Sequence, residues 1–235
     1  MTYPGGKAAD GVYHKIINQI PPHQVFIEPF WGSGAITLHK LPAVATIGID
    51  IDGDVVKSWM DPHARNGDAS DRVPGLIVKK GDAISFLKSY NWQGSEFVYA
   101  DPPYLREVRA CKSKLYKHEF WAREQHTQLL NLLKSLPCMV AISGYWSSLY
   151  ASKLQGWRSI HYQAGTRGGT SVTEYLWMNY PEPTALHDYR YLGENFRERE
   201  KITRQKRRWN ARLLRMNRLQ RLSLLASIAE LRETS

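Results

Sequence analysis

Residues 24–34, with the sequence Gln-Val-Phe-Ile-Glu-Pro-Phe-Trp-Gly-Ser-Gly, predict a strand that runs into a tight turn. The run from Gln24 to Glu28 is typical of a short buried strand, and a helix is predicted from the turn through about Lys40. Gly32 and Gly34 allow the backbone to turn tightly and to approach a ligand where a Cβ atom would collide. This stretch therefore predicts the first unit of an α/β fold, with a ligand-binding loop after the strand.

Alternating strand and helix patterns continue along the chain. Repeated β-α units of this length indicate a mostly parallel sheet that is covered by helices on both faces. Two later strands flank a Gly-rich turn (Gly165, Gly168 and Gly169) and predict a terminal antiparallel hairpin. The further predicted strands are 43–49, 76–79, 96–100, 138–142, 157–163 and 174–180, and the further helices are 54–60, 83–90 and 123–136.

Asp50 lies at the end of the second predicted strand, 22 residues after Glu28. A carboxylate at this place in an α/β fold accepts hydrogen bonds from a ribose diol. Together with the turn at Gly32 and Gly34, it predicts a nucleoside-containing cofactor. Alone, a Gly-x-Gly turn between a strand and a helix also fits an ordinary tight turn.

The segment Asp101-Pro-Pro-Tyr104 follows the fourth predicted strand. Two consecutive prolines restrict φ and remove two N–H donors, so the loop presents carbonyl groups only. With an acidic side chain before them and an aromatic ring after them, these carbonyls form a cradle of acceptors. Such a cradle suits a planar group with an exocyclic amine, which donates two hydrogen bonds and offers a face for stacking. A turn with a helix-capping aspartate is the other interpretation of these four residues alone.

The composition bounds the class of protein. A chain of 235 residues and 27.0 kDa, 43% of them hydrophobic, suits one α/β domain with an appendage and excludes a wholly disordered polypeptide. No apolar run is long enough to span a bilayer, and the amino terminus has no apolar stretch typical of a signal peptide. Cys111 and Cys138 form no CxxC pair and the histidines have no ligand spacing, so we expect no metal site and a cytoplasmic location.

The positive charge is concentrated near the carboxyl terminus. The net charge is +10, and residues 197–221 hold eleven Arg or Lys against two Glu, so the rest of the chain is nearly neutral. Such asymmetry favours a polyanionic partner, most simply nucleic acid. We therefore divide the chain into a catalytic domain, 1–183, and a basic helical extension, 184–235.

The basic extension is predicted to be an amphipathic helix from about 194 to 232, with room for one break. Bases on several of its faces suit phosphate contacts, which give affinity without sequence information. A dimerisation helix and a merely solvated extension are the alternatives, so the protein is expected to be a monomer or a homodimer. The apolar positions at helical spacing are Trp209, Leu213, Met216, Leu222 and Leu225.

Taken together, these motifs resemble the Dam-like, D12 class DNA adenine-N6 methyltransferases, a family often carried by phages and prophages. The resemblance spans most of residues 3–180, and Asp101-Pro-Pro-Tyr104 is the family's catalytic motif as it stands. It implies a Rossmann-like S-adenosylmethionine-dependent methyltransferase fold. The other matching segments are Tyr3-Pro-Gly-Gly-Lys7, Pro29 to Gly34, Asp50, Gly81-Asp82, and two later, more structural motifs, Ser143-Gly-Tyr145 and Thr173 to Trp177.

The resemblance implies a mechanism and a set of site residues. Asp101 and the Pro102 carbonyl each accept one N6–H of an adenine that has left the duplex, and Tyr104 stacks on it. The implied cofactor is S-adenosylmethionine, the implied partner is double-stranded DNA, and the implied setting is a bacterial cell, including restriction-modification. The implied catalytic residues are Asp101, Pro102, Pro103 and Tyr104, and the implied cofactor-binding residues are Tyr3, Lys7, Phe30, Gly32, Gly34, Asp50, Asp82 and Asp101.

The chain departs from the best-known members in one respect. A sizeable target-recognition domain lies between the Asp82 and Asp101 motifs in those proteins, whereas only residues 88–100 separate Leu87 from Asp101 here. DNA contacts are therefore predicted elsewhere, and a short or relaxed target sequence is favoured over a long one. The candidate DNA-binding residues are Lys7, Arg106, Arg109, Lys112, Lys114 and Lys117 around the catalytic loop, and Arg204, Arg207, Arg208, Arg212 and Arg215 in the arm.

Three alternative functions remain open from the sequence. Cytosine-N4 methylation needs the same acceptor chemistry, although that family usually has Ser in the place of Asp101. RNA is a chemically possible substrate. A non-catalytic DNA-binding protein on a relict methyltransferase fold belongs to a different functional class, and it would have no need for the acceptor cradle.

Overall fold

The computed structural model describes residues 7–8, 11–61, 73–108, 117–165 and 171–233. The chain forms two compact units, Met1–Tyr189 and Arg190–Ser235. The sequence-based domain limits, 1–183 and 184–235, stay predictions. Within the described part of the chain, no helix is both long and apolar enough to cross a membrane.

The first unit is built on one seven-stranded sheet. Its strands are β1 (Val25–Glu28), β2 (Ala45–Asp50), β3 (Leu76–Lys80), β4 (Glu96–Ala100), β5 (Met139–Gly144), β6 (Arg158–Gly165) and β7 (Ser171–Met178). They are ordered β3-β2-β1-β4-β5-β7-β6, and every neighbouring pair from β3 to β5 is parallel. β7 lies antiparallel to both β5 and β6. This arrangement confirms the predicted Rossmann-like methyltransferase fold with a terminal antiparallel hairpin, whose turn lies outside the described residues.

Six helices accompany the sheet in the described part of this unit. They are α1 (Val12–Ile17), α2 (Ala35–His39), α3 (Gly53–Met60), α4 (Ala83–Ser89), α5 (Arg123–Ser135) and α6 (Ser148–Lys153). The sequence did not predict α1 and α6, which are six residues long each. A short 3₁₀ turn, Arg106–Val108, follows the catalytic loop.

The strand order creates a switch point between β1 and β4. The chain leaves β1 toward β2 and β3 and then returns to the other side of β1 as β4. In open α/β sheets, ligands bind outside the carboxyl ends of the strands at such a point. Because Ile27 pairs with Val98, Glu28 at the end of β1 and Asp101 directly after β4 lie at neighbouring strand ends.

The core holds the central strands firmly. All five residues of β4 are buried, and Val98 lies in one apolar cluster with Ile27, Val140 and the inner face of α5. On the opposite face of the sheet, the rings of Phe26 and Phe97 stack with centroids 5.9 Å apart. The catalytic loop therefore leaves a strand that is packed on both faces, which fixes the position of Asp101.

The second unit consists of two helices, α7 (Phe196–Arg215) and α8 (Arg218–Glu233). The break between them has a local cause, since Asn217 Oδ1 accepts a hydrogen bond from the Gln220 N–H at 3.0 Å and thereby caps α8. The predicted apolar positions do not form a buried stripe in this unit. Trp209, Leu222 and Leu225 are all about half exposed.

Candidate active site

A cavity of about 340 Å³ opens at the carboxyl ends of β1, β2 and β4. This volume is within the range of small-molecule and cofactor sites. Most of the cofactor-binding and catalytic residues predicted from the sequence line it. They are Lys7, Phe30, Gly32, Asp50, Asp82, Asp101, Pro102, Pro103 and Tyr104.

The loop after β1 adopts a conformation that favours glycine. Gly32 and Gly34 have φ values of +49° and +57°, which L side chains rarely adopt. Between them and the sheet, the Trp31 indole is buried, and a Cβ atom on Gly34 would lie 2.7 Å from that ring. Gly34 therefore shapes the turn rather than lining the cavity.

Asp50 ties this loop to the second strand. Its Oδ2 accepts a hydrogen bond from the Gly32 N–H, and its Oδ1 accepts one from the Asp52 N–H, both at 2.8 Å. Burial raises the pKa of Asp50, while these two hydrogen bonds oppose the rise. Each carboxylate oxygen accepts more than one hydrogen bond, so Asp50 retains acceptor capacity toward the cavity.

Asp82 begins the next helix at the cavity edge. Its Oδ1 accepts hydrogen bonds from the N–H and the hydroxyl of Ser85, both at 2.8 Å, which caps α4. Two aromatic rings also meet at the cavity, since Phe30 and Phe120 contact edge to face with centroids 5.3 Å apart. Flat apolar surface beside a carboxylate suits a purine ring with its exocyclic amine.

The segment around His118 lies against the cavity and is joined to the start of α3 by ion pairs. His118, Glu119 and Phe120 all line the cavity. The preceding Lys117 forms ion pairs with Asp52 at 3.4 Å and with Asp54 at 2.6 Å. Lys117 is thus engaged with two carboxylates at the start of α3, and its predicted role in DNA binding stays a prediction.

The catalytic loop brings together a lysine, a carboxylate and a phenol. Lys7 Nζ lies 3.0 Å from Asp101 Oδ1 and donates a hydrogen bond to the Tyr104 hydroxyl. The Tyr104 hydroxyl in turn donates to Asp101 Oδ1 at 3.3 Å. Burial raises the pKa of Asp101, and the Lys7 ammonium works against that rise. Lys7 and Tyr104 both contact Oδ1, and the Asp101 side chain lines the cavity.

A second carboxylate completes the group around Lys7. Glu174, on β7, places Oε2 3.2 Å from Lys7 Nζ, and both side chains are at least 93% buried. Burial alone would lower the pKa of Lys7, but Asp101 and Glu174 together raise it well above its ordinary value. The sequence assigned the segment that contains Glu174 a structural role only. The single available signal was an acidic residue at an inward position of an otherwise apolar strand.

Glu28 is another buried carboxylate that the sequence did not single out for the site. It lines the cavity at the end of β1, and its Oε2 accepts a hydrogen bond from the Thr37 hydroxyl at 2.8 Å. Burial raises the pKa of Glu28 from 4.5 to about 8. The nearby Asp101 carboxylate adds to this rise.

The remaining predicted residues are one in the 3₁₀ turn, five on α7 and four outside the described part of the chain. Arg106 lies in the 3₁₀ turn after the catalytic loop, with its guanidinium 4.9 Å from the Trp121 ring. The five arm arginines lie on α7, where Arg204 pairs with Glu200. Tyr3, Arg109, Lys112 and Lys114 lie outside the described residues. Within the described ranges, no group of three or more His, Cys, Asp or Glu could hold a metal ion.

Comparison with protein families bears on the chemistry of this cavity. Residues 63–164 match the family of D12 class N6 adenine-specific DNA methyltransferases. The match confirms the resemblance drawn from the sequence, and it includes the Asp82 and Asp101 motifs. It covers less than half of the chain and does not include the loop after β1. No curated protein matches the chain.

Solved structures show more distant likenesses. A precorrin 8w decarboxylase from Methanobacterium thermoautotrophicum is 12% identical, with a TM-score of 0.47 and 76% and 94% of the two chains covered. A dimethyladenosine transferase from Plasmodium falciparum is 15% identical, with a TM-score of 0.44, over 71% of this chain and 60% of that one. A SAM-dependent methyltransferase from Methanosarcina mazei is 8% identical, with a TM-score of 0.45, over 70% of this chain and 95% of that one. At these values the likenesses carry no argument about substrate.

The D12 class match agrees with the predicted cofactor, S-adenosylmethionine, and the cavity fits it. Asp50 offers acceptors for a ribose diol at the end of β2, and Asp82 with Phe30 offers an acceptor and a ring face for adenine. The turn at Gly32 and Gly34 brings backbone close to the cavity without a Cβ atom in the way. These residues lie along one continuous cavity that reaches Asp101.

Proposed function

We propose that this protein is a DNA adenine-N6 methyltransferase that uses S-adenosylmethionine and acts on an adenine extruded from double-stranded DNA. The observation that carries the proposal is the position of Asp101. Its carboxylate is mostly buried and lines the cofactor-sized cavity, and Lys7 and Tyr104 contact one of its oxygens. The D12 class match over this segment supports the same chemistry.

The proposed role of the catalytic loop is to prepare the amino group as a nucleophile. The N6 lone pair of adenine is delocalised into the ring, which makes the nitrogen weakly nucleophilic. Asp101 Oδ2 and the Pro102 carbonyl each accept one N6–H, which draws the nitrogen toward sp³ geometry and frees its lone pair. Because Pro102 and Pro103 carry no N–H, no donor of the loop backbone competes at these positions.

When bound, the cofactor would supply a methyl group on a sulfonium sulfur, and attack by the freed lone pair would break the C–S bond and release a neutral thioether. One N6 proton would then pass to Asp101 Oδ2. The protein therefore has to position and polarise rather than form a covalent intermediate. Asp50 and Gly32, which are joined by a hydrogen bond, line the same cavity as Asp101. Rigid strand ends hold both groups, since β2 and β4 flank the same central strand β1.

The burial of Asp101 supports base extrusion. Its side chain is only 18% exposed, so an adenine that remains stacked in a duplex cannot reach Oδ2. The Tyr104 ring contacts Tyr145 with centroids 4.5 Å apart, and together these rings offer a surface for an extruded base. The basic arm on α7 is proposed to hold the phosphate backbone.

The test is nucleoside mass spectrometry of unmethylated duplex DNA after incubation with the protein and S-adenosylmethionine. N6-methyladenine is expected with the intact protein and not with Asp101→Ala. The urea unfolding midpoint of Asp101→Ala, compared with that of the intact protein, is the control for the fold. N4-methylcytosine, methylated RNA in a parallel reaction, or no modified base with intact protein would each overturn the proposal in favour of the corresponding alternative.

A further inference from the structure

We infer that Glu174 is a positioning residue of the transfer reaction. It forms an ion pair with Lys7 in addition to the one formed by Asp101, so that Asp101 remains a strong acceptor for the substrate amine. The inference rests on the proposed function for its catalytic consequence. Its structural basis is the pair of carboxylates, Asp101 and Glu174, that flank one buried ammonium group.

Three oxygens surround the ammonium group. Lys7 Nζ lies 3.0 Å from Asp101 Oδ1 and 3.2 Å from Glu174 Oε2, and it donates a hydrogen bond to the Tyr104 hydroxyl. Among the described residues, no donor forms a hydrogen bond with Glu174 Oε2, so its contact with Lys7 is an ion pair. Glu174 reaches Lys7 from the antiparallel strand β7, whereas Asp101 and Tyr104 belong to the catalytic loop.

Charge explains why the second carboxylate matters. A single carboxylate paired with a buried ammonium is strongly stabilised as the anion, which makes it a weaker hydrogen-bond acceptor for another group. With Glu174 present, the Lys7 ammonium interacts with two carboxylates rather than one, and the negative charge of Glu174 raises the pKa of Asp101. Asp101 is therefore more basic with Glu174 present than it would be beside Lys7 alone.

Several other groups face this cluster from the neighbouring elements. Tyr99 on β4 and Tyr162 on β6 both interact electrostatically with Lys7, and Glu28 on β1 interacts with Asp101. Burial raises the pKa of both Tyr99 and Tyr162, so their hydroxyls stay neutral over the working pH range. Glu28, with a pKa of about 8, adds a negative charge only at the alkaline end of the pH range, so Lys7, Asp101 and Glu174 set the electrostatics at lower pH.

The experiment compares Glu174→Gln with Glu174→Asp. Single-turnover rate constants of methyl transfer are measured from pH 4 to pH 9, together with cofactor affinity by calorimetry. Glu174→Gln is expected to lower the rate constant about tenfold and to leave the cofactor affinity unchanged. This decrease is smaller than the one expected when a donor that directly stabilises charge in the transition state is removed. Because removing a nearby negative charge lowers the pKa of Asp101, the acidic limb of the profile should move to lower pH.

Glu174→Asp keeps the charge and is expected to keep the acidic limb close to that of the unaltered protein. Glu96→Gln is the matched control, since Glu96 is also a buried glutamate in the same sheet but begins β4 at the end away from Asp101. A Glu174→Gln profile whose acidic limb does not move, or a Glu96→Gln profile that moves equally, would overturn the inference.

A second measurement separates this inference from the proposed function. Urea unfolding midpoints are measured for Lys7→Met, Glu174→Gln and the double variant. Coupled side chains give non-additive changes, whereas independent ones give additive changes. If the intact protein transfers no methyl group to DNA, the proposed function fails. If the midpoint changes of the two single variants add up to that of the double variant, the coupling between Lys7 and Glu174 is overturned, whatever the result with DNA.

Discussion

Asp50 Oδ2 accepts a hydrogen bond from the Gly32 N–H at 2.8 Å, across 18 residues of sequence. This bond joins the end of β2 to the glycine turn after β1. The same carboxylate lines the cavity that fits the cofactor. Asp50 therefore shapes the cofactor loop in addition to offering acceptors to a ribose.

Asp50→Ala is expected to weaken cofactor binding about 10- to 100-fold, because a buried charged acceptor and its loop contact are lost together. Titration calorimetry measures this. Asp61→Ala, which changes an exposed aspartate after the end of α3, is the control and should leave the affinity unchanged. Equal affinities for the two variants would remove Asp50 from the cofactor site.

Gly34→Ala is expected to destabilise the protein through both backbone and packing. A non-glycine residue at φ +57° costs about 1–2 kcal/mol, and the new Cβ atom would lie 2.7 Å from the Trp31 ring, which adds about 1–3 kcal/mol. The free energy of unfolding from urea titration measures the sum.

Gly156→Ala separates these two contributions. Gly156 also has a positive φ, +86°, but a Cβ atom there would meet nothing within 4 Å. Its destabilisation should therefore contain the backbone cost alone and be the smaller of the two. If Gly156→Ala proves as destabilising as Gly34→Ala, close packing on Trp31 is not what requires a glycine at position 34.

Glu28 should make the stability of the protein without cofactor depend on pH. Since its folded pKa of about 8 exceeds its ordinary value of 4.5, the folded state holds a proton that the unfolded state releases between these values. Its contribution is fully present below pH 4.5 and is lost as pH rises to 8, a change on the order of 4 kcal/mol. Glu28→Gln should flatten this decline, measured as the unfolding midpoint at pH 5 and pH 8.5.

The control for Glu28→Gln is Glu182→Gln, which changes an exposed glutamate of the same unit. It should show the same decline with pH as the unaltered protein. A Glu28→Gln variant that also retains the full decline would show that Glu28 is ionised in the folded state.

The arm should contribute to DNA affinity through phosphate contacts. Changing Arg207 and Arg208 on α7 to Gln should reduce the slope of log affinity against log salt by up to about two, since each phosphate contact contributes about 0.9. Changing Lys79 and Lys134, two exposed lysines of the first unit, removes the same charge and is the control. Fluorescence anisotropy over a salt series measures the slope for both double variants, and equal slopes would exclude phosphate contacts by the arm.

Most of the sheet was predictable from local sequence. Strand β4 was predicted with the observed limits, 96–100, because five successive buried residues end at an abrupt Asp-Pro-Pro turn. The limits of the edge elements were less well predicted. Strand β7 begins at Ser171 rather than Glu174, because pairing with β6 extends it beyond its apolar part. The break in the arm depended on the cap by Asn217, a single polar residue.

The acceptor motif and the cofactor loop were likewise evident in the sequence, because each is contiguous and has a restricted backbone. The sequence could not predict the partners of Lys7. Glu174 is 167 residues away from Lys7 along the chain, and the two meet only because the antiparallel β7 lies on the far side of β5 from the catalytic strand.

The α/β alternation, the glycine turn, the acceptor-only loop and the concentration of charge in the arm are all evident in the order of the amino acids. These features arise from side-chain periodicity and from the backbone restrictions of Gly and Pro, which act within a few residues. Three other relationships appear only in the folded chain: Asp50 binds the glycine turn, Glu28 is buried and interacts with Asp101, and Glu174 pairs with Lys7. Those relationships depend on which strand ends the sheet brings together, and burial there sets the charges that the chemistry requires.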